Sequence, residues 1–143
     1  MKRSIQYICV LLVVVLVMAV PVHVKAASPR ESAYFAAYDS FICKTSGTTF
    51  QVWYDVIGCG RMEKIGVSCI KIQQSTDGQN WTTVKTCLSS SYPNMICENT
   101  ASHGGYVTYT GSVGYYYRAY VTFYASKDGG VGLRYDYAET IKY

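Results

Sequence analysis

A chain of 143 residues has room for one domain. Its formal charge of +4 comes from thirteen Lys and Arg against nine Asp and Glu, and three of the cations, Lys2, Arg3 and Lys25, precede residue 27. Residues 27–143 therefore carry +1, which leaves no cluster of cations to displace counterions from phosphates and excludes a nucleic-acid partner.

Lys2 and Arg3 form a basic start, Tyr7 to Val20 is an apolar run, Pro21 breaks it, and Val24-Lys25-Ala26 supplies a small residue at a cleavage point. Residues 1–26 therefore read as a secretory signal peptide cut before Ala27. The apolar run falls short of the roughly 20 residues that span a bilayer, so no membrane attachment is expected after cleavage. Residues 27–33 are a polar lead-in, and 34–143 is the folded domain. A chain of about 117 residues can bury roughly 65% of its unfolded surface, enough for one core.

In chain order, Tyr34 to Cys43 reads as a first strand and Lys44-Thr45-Ser46-Gly47 as a turn. Thr48 to Ile57 alternates, with Phe50, Val52, Tyr54 and Val56 on one face and Thr49, Gln51, Trp53 and Asp55 on the other, the pattern of a sheet wetted on one side. Gly58 to Lys64 reads as a hairpin. Ile65 to Gln74 is the next strand, and Asp77-Gly78 turns the chain into Trp81 to Cys87. Leu88 to Ser102, with its three consecutive Ser, Pro93 and Asn94, reads as an irregular loop with at most a short edge strand. Tyr106 to Val113 is a strand packed against Gly114 to Ala125, the longest alternating stretch and the expected centre of the sheet. Leu133 to Tyr143 is the last. About seven strands at this spacing predict an all-β fold, an antiparallel β-sandwich of immunoglobulin or fibronectin type.

Export makes disulfides plausible for the five cysteines beyond the leader. A hairpin about Lys64 would set Cys59 opposite Cys69, and a loop about Tyr92 would close Cys87 on Cys97, although other pairings stay open. Cys43 is then the unpaired thiol, either buried at a strand end or joining two chains in a Cys-linked dimer. With no C-x-x-C pair and His103 the one imidazole after the leader, neither a metal nor another cofactor is implied.

His103, beside Gly104-Gly105, is the only base for a nucleophilic triad and reads as a solvated loop residue. Asp55, Asp136 and Glu139 are strand-borne carboxylates whose spacing selects no glycosidase pair, so a hydrolase is the remote reading and no enzyme is expected. Asp77-Gly78-Gln79-Asn80 lacks the alternating acids of a calcium loop. The remaining candidate is aromatic surface: fourteen tyrosines lie beyond the leader. Tyr116, Tyr120 and Tyr124 flank Arg118 on the outward face of one strand, with Trp53 and Trp81 as neighbours. Such rings stack on sugars or anchor a protein partner, and they also stabilise a sheet face by pairing with one another.

Gly114-Tyr115-Tyr116-Tyr117-Arg118, the hairpin from Ile72 to Lys85 and the ending Glu139-Thr140-Ile141-Lys142-Tyr143 resemble small exported proteins of Gram-positive bacteria, catalogued as a domain of unknown function. The resemblance runs from Tyr34 to Tyr143, and its turns are similar to those of fibronectin-like and immunoglobulin-like modules. It implies no catalytic residues. The expected role is a secreted, non-enzymatic binding module, held at the cell envelope or released, that takes a glycan or a surface protein on its aromatic face. The alternative is an exported antimicrobial or toxin-like polypeptide acting on neighbouring cells.

Overall fold

The computed structural model describes residues 33–143. The leader read at residues 1–26 lies outside the described residues, as does nearly all of the lead-in. The fold is all-β, a curled antiparallel sheet of six strands: β1 (Phe35–Lys44), β2 (Thr49–Ser75), β3 (Thr82–Leu88), β4 (Ile96–Thr110), β5 (Tyr116–Lys127) and β6 (Gly130–Lys142). One 3-10 turn, Pro93–Met95, lies between β3 and β4.

The expected hairpin at Gly58 to Lys64 does not form. Instead β2 runs unbroken for 27 residues, which straight would extend roughly 90 Å, far beyond the width, on the order of 35 Å, of a domain this size. It therefore has to turn a corner. Between Ile57 and Met62 the register against β4 slips, and Gly60 adopts φ +104°. A second irregularity comes between Val67 and Cys69 against β5. Bulges of this kind let one strand pass from one layer of a sandwich to the other.

Both edges of β2 are occupied on either side of that corner. Residues 50–58 bond to β1 and 49–57 to β4, whereas 64–75 bond to β5 and 69–74 to β3, with β6 added outside β5. The expectation of β5 as the centre is corrected accordingly: β2 is the spine, and the strand containing Tyr106 pairs with β2, not with β5. The stretch read as an irregular loop, Leu88 to Ser102, becomes strand from Ile96 because Ile96, Cys97, Glu98 and Thr100 find backbone partners on the far side of the corner. His103 likewise sits on β4 rather than in a loop, half-buried, with Nε2 donating to Asn94 O at 2.7 Å.

The two halves close on each other through the faces read as apolar. Phe50, Val52, Tyr54 and Val56 of β2 are buried, as are Tyr117, Ala119, Val121 and Phe123 of β5. The Phe50 ring meets Tyr117 at 5.3 Å, and Tyr38 meets Phe123 at 5.1 Å. Ser40 Oγ donates to Asp136 Oδ2 at 2.6 Å, tying β1 to β6 and occupying one of the strand-borne carboxylates.

Cysteine placement is set by the corrected topology. Cys59 and Cys69 lie on the same strand, Cys59 within its corner and Cys69 beyond it, so they are not opposed across a hairpin. Cys87 is opposite Ile70 and Cys97 opposite Ile65, displaced along β2 instead of meeting across a loop. Cys43, Cys69, Cys87 and Cys97 are free thiols. Cys43 is exposed rather than buried at its strand end, because it projects outward from β1; Cys87 is the buried one.

The loop 76–81 is longer than a two-residue turn and is built on Asp77. Its Oδ1 accepts from Ser75 Oγ at 2.7 Å and from the amides of Gln79 and Asn80 at 2.8 Å, and Oδ2 accepts from Asn80 Nδ2 at 2.6 Å. These hydrogen bonds, the Asn80 amide first, hold the carboxyl well below the usual carboxylate range. A depressed pKa means stability that is complete above the unfolded value near 3.9 and is lost as pH falls through the folded one. The melting-temperature gap between wild type and Asp77→Asn should thus be largest above about pH 5 and shrink steadily towards about pH 2; a gap independent of pH would show that the carboxylate charge is not what shapes the loop.

At the corner, a Cβ on Gly66 would collide with the carbonyl oxygen of Met95, a backbone atom that cannot move aside, whereas one on Gly60 would meet nothing within 4 Å. Gly60→Ala should therefore cost only its backbone strain, about 1–2 kcal/mol. Gly66→Ala should cost more than about 3 kcal/mol and lower the melting temperature by over about 10 °C. Thermal melts of both variants check the order.

Candidate functional site

The side chains singled out on sequence grounds divide between the two outer faces. On the β3–β2–β5–β6 half, Arg118 is held between two rings, its Cζ 4.3 Å from the Trp81 centroid and 4.8 Å from that of Tyr137, with Nε donating to Gln73 Oε1 at 2.8 Å. Tyr120 lies opposite Tyr137 in register, 4.8 Å away, and stacks on Tyr135 at 5.7 Å with the planes 8° apart. Tyr116 carries Lys142 Nζ at 4.7 Å. Desolvation within this stack, then Tyr135 and Tyr137, pushes the Tyr120 phenol up. Tyr124 stands apart: its register partners are Gly66 and Leu133, and no ring of the ladder touches it.

Trp53 is not part of that ladder. It lies beyond the corner of β2, on the outer face of the β1–β2–β4 half, because the outward residues there are the odd-numbered ones. Register aligns them in rows across three strands: Ala37, Ile57 and Ser102; then Asp39, Asp55 and Gly104; then Phe41, Trp53 and Tyr106. The third row is fully aromatic. Trp53 is 4.7 Å from Tyr106 and lies parallel to Phe41, planes 2° apart and centroids at 6.2 Å, while its Nε1 donates to Gln51 Oε1 at 3.0 Å and so fixes the indole. Phe41 is 46% and Tyr106 51% exposed, so with Trp53 they form a contiguous ring surface open to solvent.

Beside this row is an open cleft of ≈ 510 Å³ lined by Phe41, Trp53, Tyr54, Asp55, Gly104, Gly105 and Tyr106. Glycine makes it. A Cβ at 104 would come within 3.2 Å of Asp55 Oδ1, and one at 105 within 2.6 Å of the Tyr54 hydroxyl, so side chains there would displace two of the walls. Tyr54 is buried, donates to Asn94 O at 3.3 Å, and is pushed up to about 12 by burial. Past Asp39 and Asp55 the surface dips again, in a hollow of ≈ 80 Å³ between Ala37, Tyr38 and Ile57.

Sequence reasoning found Trp53 and missed Phe41, Tyr106, Asp39 and Gly104. A signal was present: Asp39 and Phe41 are spaced by two, as are Trp53 and Asp55 in the reverse order and Gly104 and Tyr106. That is what antiparallel strands need to bring like residues into rows. Among the described residues, no group of His, Cys, Asp or Glu is placed to hold a metal ion.

The contacts of the ladder lie within the chain, and they predict an effect on stability. Arg118→Ala should cost about 1–2 kcal/mol through the lost cation–π contacts and lower the melting temperature by roughly 4–8 °C, with Trp81 fluorescence shifting to the red as its ring is uncovered. An unchanged melt would mean the guanidinium contributes nothing there. No protein-family model, curated protein or solved structure matches the chain, so the chemistry of these two faces is what bears on its function.

Proposed function

We propose that the chain is an exported, non-catalytic binding domain that takes carbohydrate on the outer face of the β1–β2–β4 half. The observation that carries this reading is the row Phe41, Trp53, Tyr106 beside an open, glycine-floored cleft. Sugar rings present an apolar face of C–H groups and a rim of hydroxyls, and a fixed indole next to carboxylates meets both demands. Trp53 brings area with little side-chain freedom left to lose, since Gln51 already holds its ring. Asp39 and Asp55 offer acceptors at the rim. The opposite face differs in that its rings carry the chain's own cations, Arg118 between Trp81 and Tyr137 and Lys142 over Tyr116. Export is the natural setting for such a domain and is the part of the reading that rests on residues 1–26.

The test is retention on a panel of insoluble polysaccharides, peptidoglycan, chitin and cellulose among them. Trp53→Ala and Tyr106→Ala should each weaken binding about five- to thirtyfold, the equivalent of roughly 1–2 kcal/mol per lost stacking contact, while the melting temperature stays within a few degrees because both side chains are outside the core. Tyr120→Ala should retain as wild type does. Retention lost in Tyr120→Ala and kept in Trp53→Ala would move the site to the other face, and no retention on any glycan would remove the reading.

A further inference from the structure

We infer that the ligand of this cleft carries a positive charge, and that its class is a glycan with free amino groups, that is, 2-amino sugars not masked by acetylation. The inference rests on the carbohydrate reading above and sharpens it. Its basis is the middle row of the face. Asp39 and Asp55 are direct cross-strand partners, which places their Cβ atoms about 4.5–5.5 Å apart on the same side of the sheet. Like charges so placed repel and destabilise the pair of strands. The ordinary remedy is a Lys or Arg on the neighbouring strand of the same row, but that position is Gly104, whose missing side chain is also what opens the cleft.

Among the described residues neither carboxylate belongs to an ion pair, the one pair being Lys64 with Glu98. Lys44, on the same strand as Asp39, is engaged elsewhere, at Lys142 O and over the Tyr143 ring, and Arg134 at Leu133 O and over the Phe35 ring. Asp39 Oδ1 accepts the amide of Ser40 at 2.9 Å, which turns one carboxylate oxygen back to the strand and leaves the other; Asp55 is exposed. Two carboxylates are too few oxygens for a calcium ion, which takes six to eight. They suit an ammonium group, which has three donors and one charge.

The geometry joins this row to the aromatic one. Successive same-face residues of a strand are roughly 7 Å apart, so a sugar stacked on Trp53 has its ring substituents directed at the carboxylates one row away. An amine there makes charge-assisted hydrogen bonds to Asp39 and Asp55 and lies near the faces of Trp53 and Phe41, where a cation is also favoured. An acetamide in the same place offers one neutral donor and leaves the like charges unrelieved.

The experiment compares a glucosamine oligosaccharide of defined length with its fully N-acetylated counterpart, by calorimetry at pH 6, where the free amines are charged. The amine form should bind at least tenfold more tightly, and raised salt should erode the difference. Asp39→Asn and Asp55→Asn, which keep shape and the Ser40 hydrogen bond, should bring the two affinities together. Asp55→Asn should also melt at a higher temperature than wild type, since it removes one of two like charges held in register across the strands, and this readout needs no sugar. Equal affinity for the two oligosaccharides, or a preference that survives in the doubly substituted protein, overturns the inference and leaves the carbohydrate reading standing. Binding to neither overturns both.

Discussion

The backbone of β2 is the constraint that everything else obeys. Each residue of a strand has one N–H and one C=O to place, and on either side of the corner in β2 both edges are paired, by four different partner strands in all. No straight strand could do this within one small domain. The corner at residues 58–66 is thus as much a part of the design as the hydrogen bonds, and it depends on a positive φ at Gly60 and on the near contact between Gly66 and the Met95 carbonyl. The inward side chains Phe50, Val52, Tyr54, Val56 and Met62 are even-numbered. Past Met62, Ile65 and Val67 point inward, and the second irregularity returns the pattern to Ile70 and Ile72. Two small backbone offsets in one strand therefore decide which side chains form the core and which form the outer faces.

Aromatic residues do different work on the two sides of that division. Inside, Phe50, Tyr109, Tyr117 and Tyr143 form one cluster of tilted and stacked rings, and the buried Tyr117 hydroxyl is satisfied by accepting from the Ser112 amide at 2.8 Å. No buried side-chain nitrogen or oxygen among the described residues lacks a partner. Since tyrosine can be buried only when its hydroxyl has a partner, such a tyrosine-rich core is stable because strand ends and turns bring amides and Gln74 to the right places.

Alternation made the strand faces legible from the sequence. Phe50 to Val56 and Tyr117 to Ala125 read inward because a period of two admits no other assignment for such residues. The corner was not legible, for a physical reason: Gly58-Cys59-Gly60-Arg61 has the composition of a turn, and whether the chain reverses or merely bends there is decided by partners far away in sequence, the Tyr34 carbonyl that takes the Cys59 amide and the β4 residues from Ile96 onward. The same ignorance of register hid most of the candidate site. Trp53 is conspicuous alone, whereas Asp39 becomes informative only once Asp55 is known to lie opposite it.

The two outer faces use the same ingredients with the charges reversed. On the β5–β6 side the chain supplies its own cations, and Arg118 and Lys142 lie against the rings of Trp81, Tyr137 and Tyr116. That arrangement is electrostatically closed. On the β1–β2–β4 side the rings have carboxylates for neighbours, and the position where a cation would complete the row is a glycine. Carboxylates and the negative faces of aromatic rings both favour a positive guest and neither can provide one. Two like charges in register across β1 and β2, with glycine at the position on β4 where a Lys would balance them, make this the face whose electrostatics the proposed cationic guest would complete.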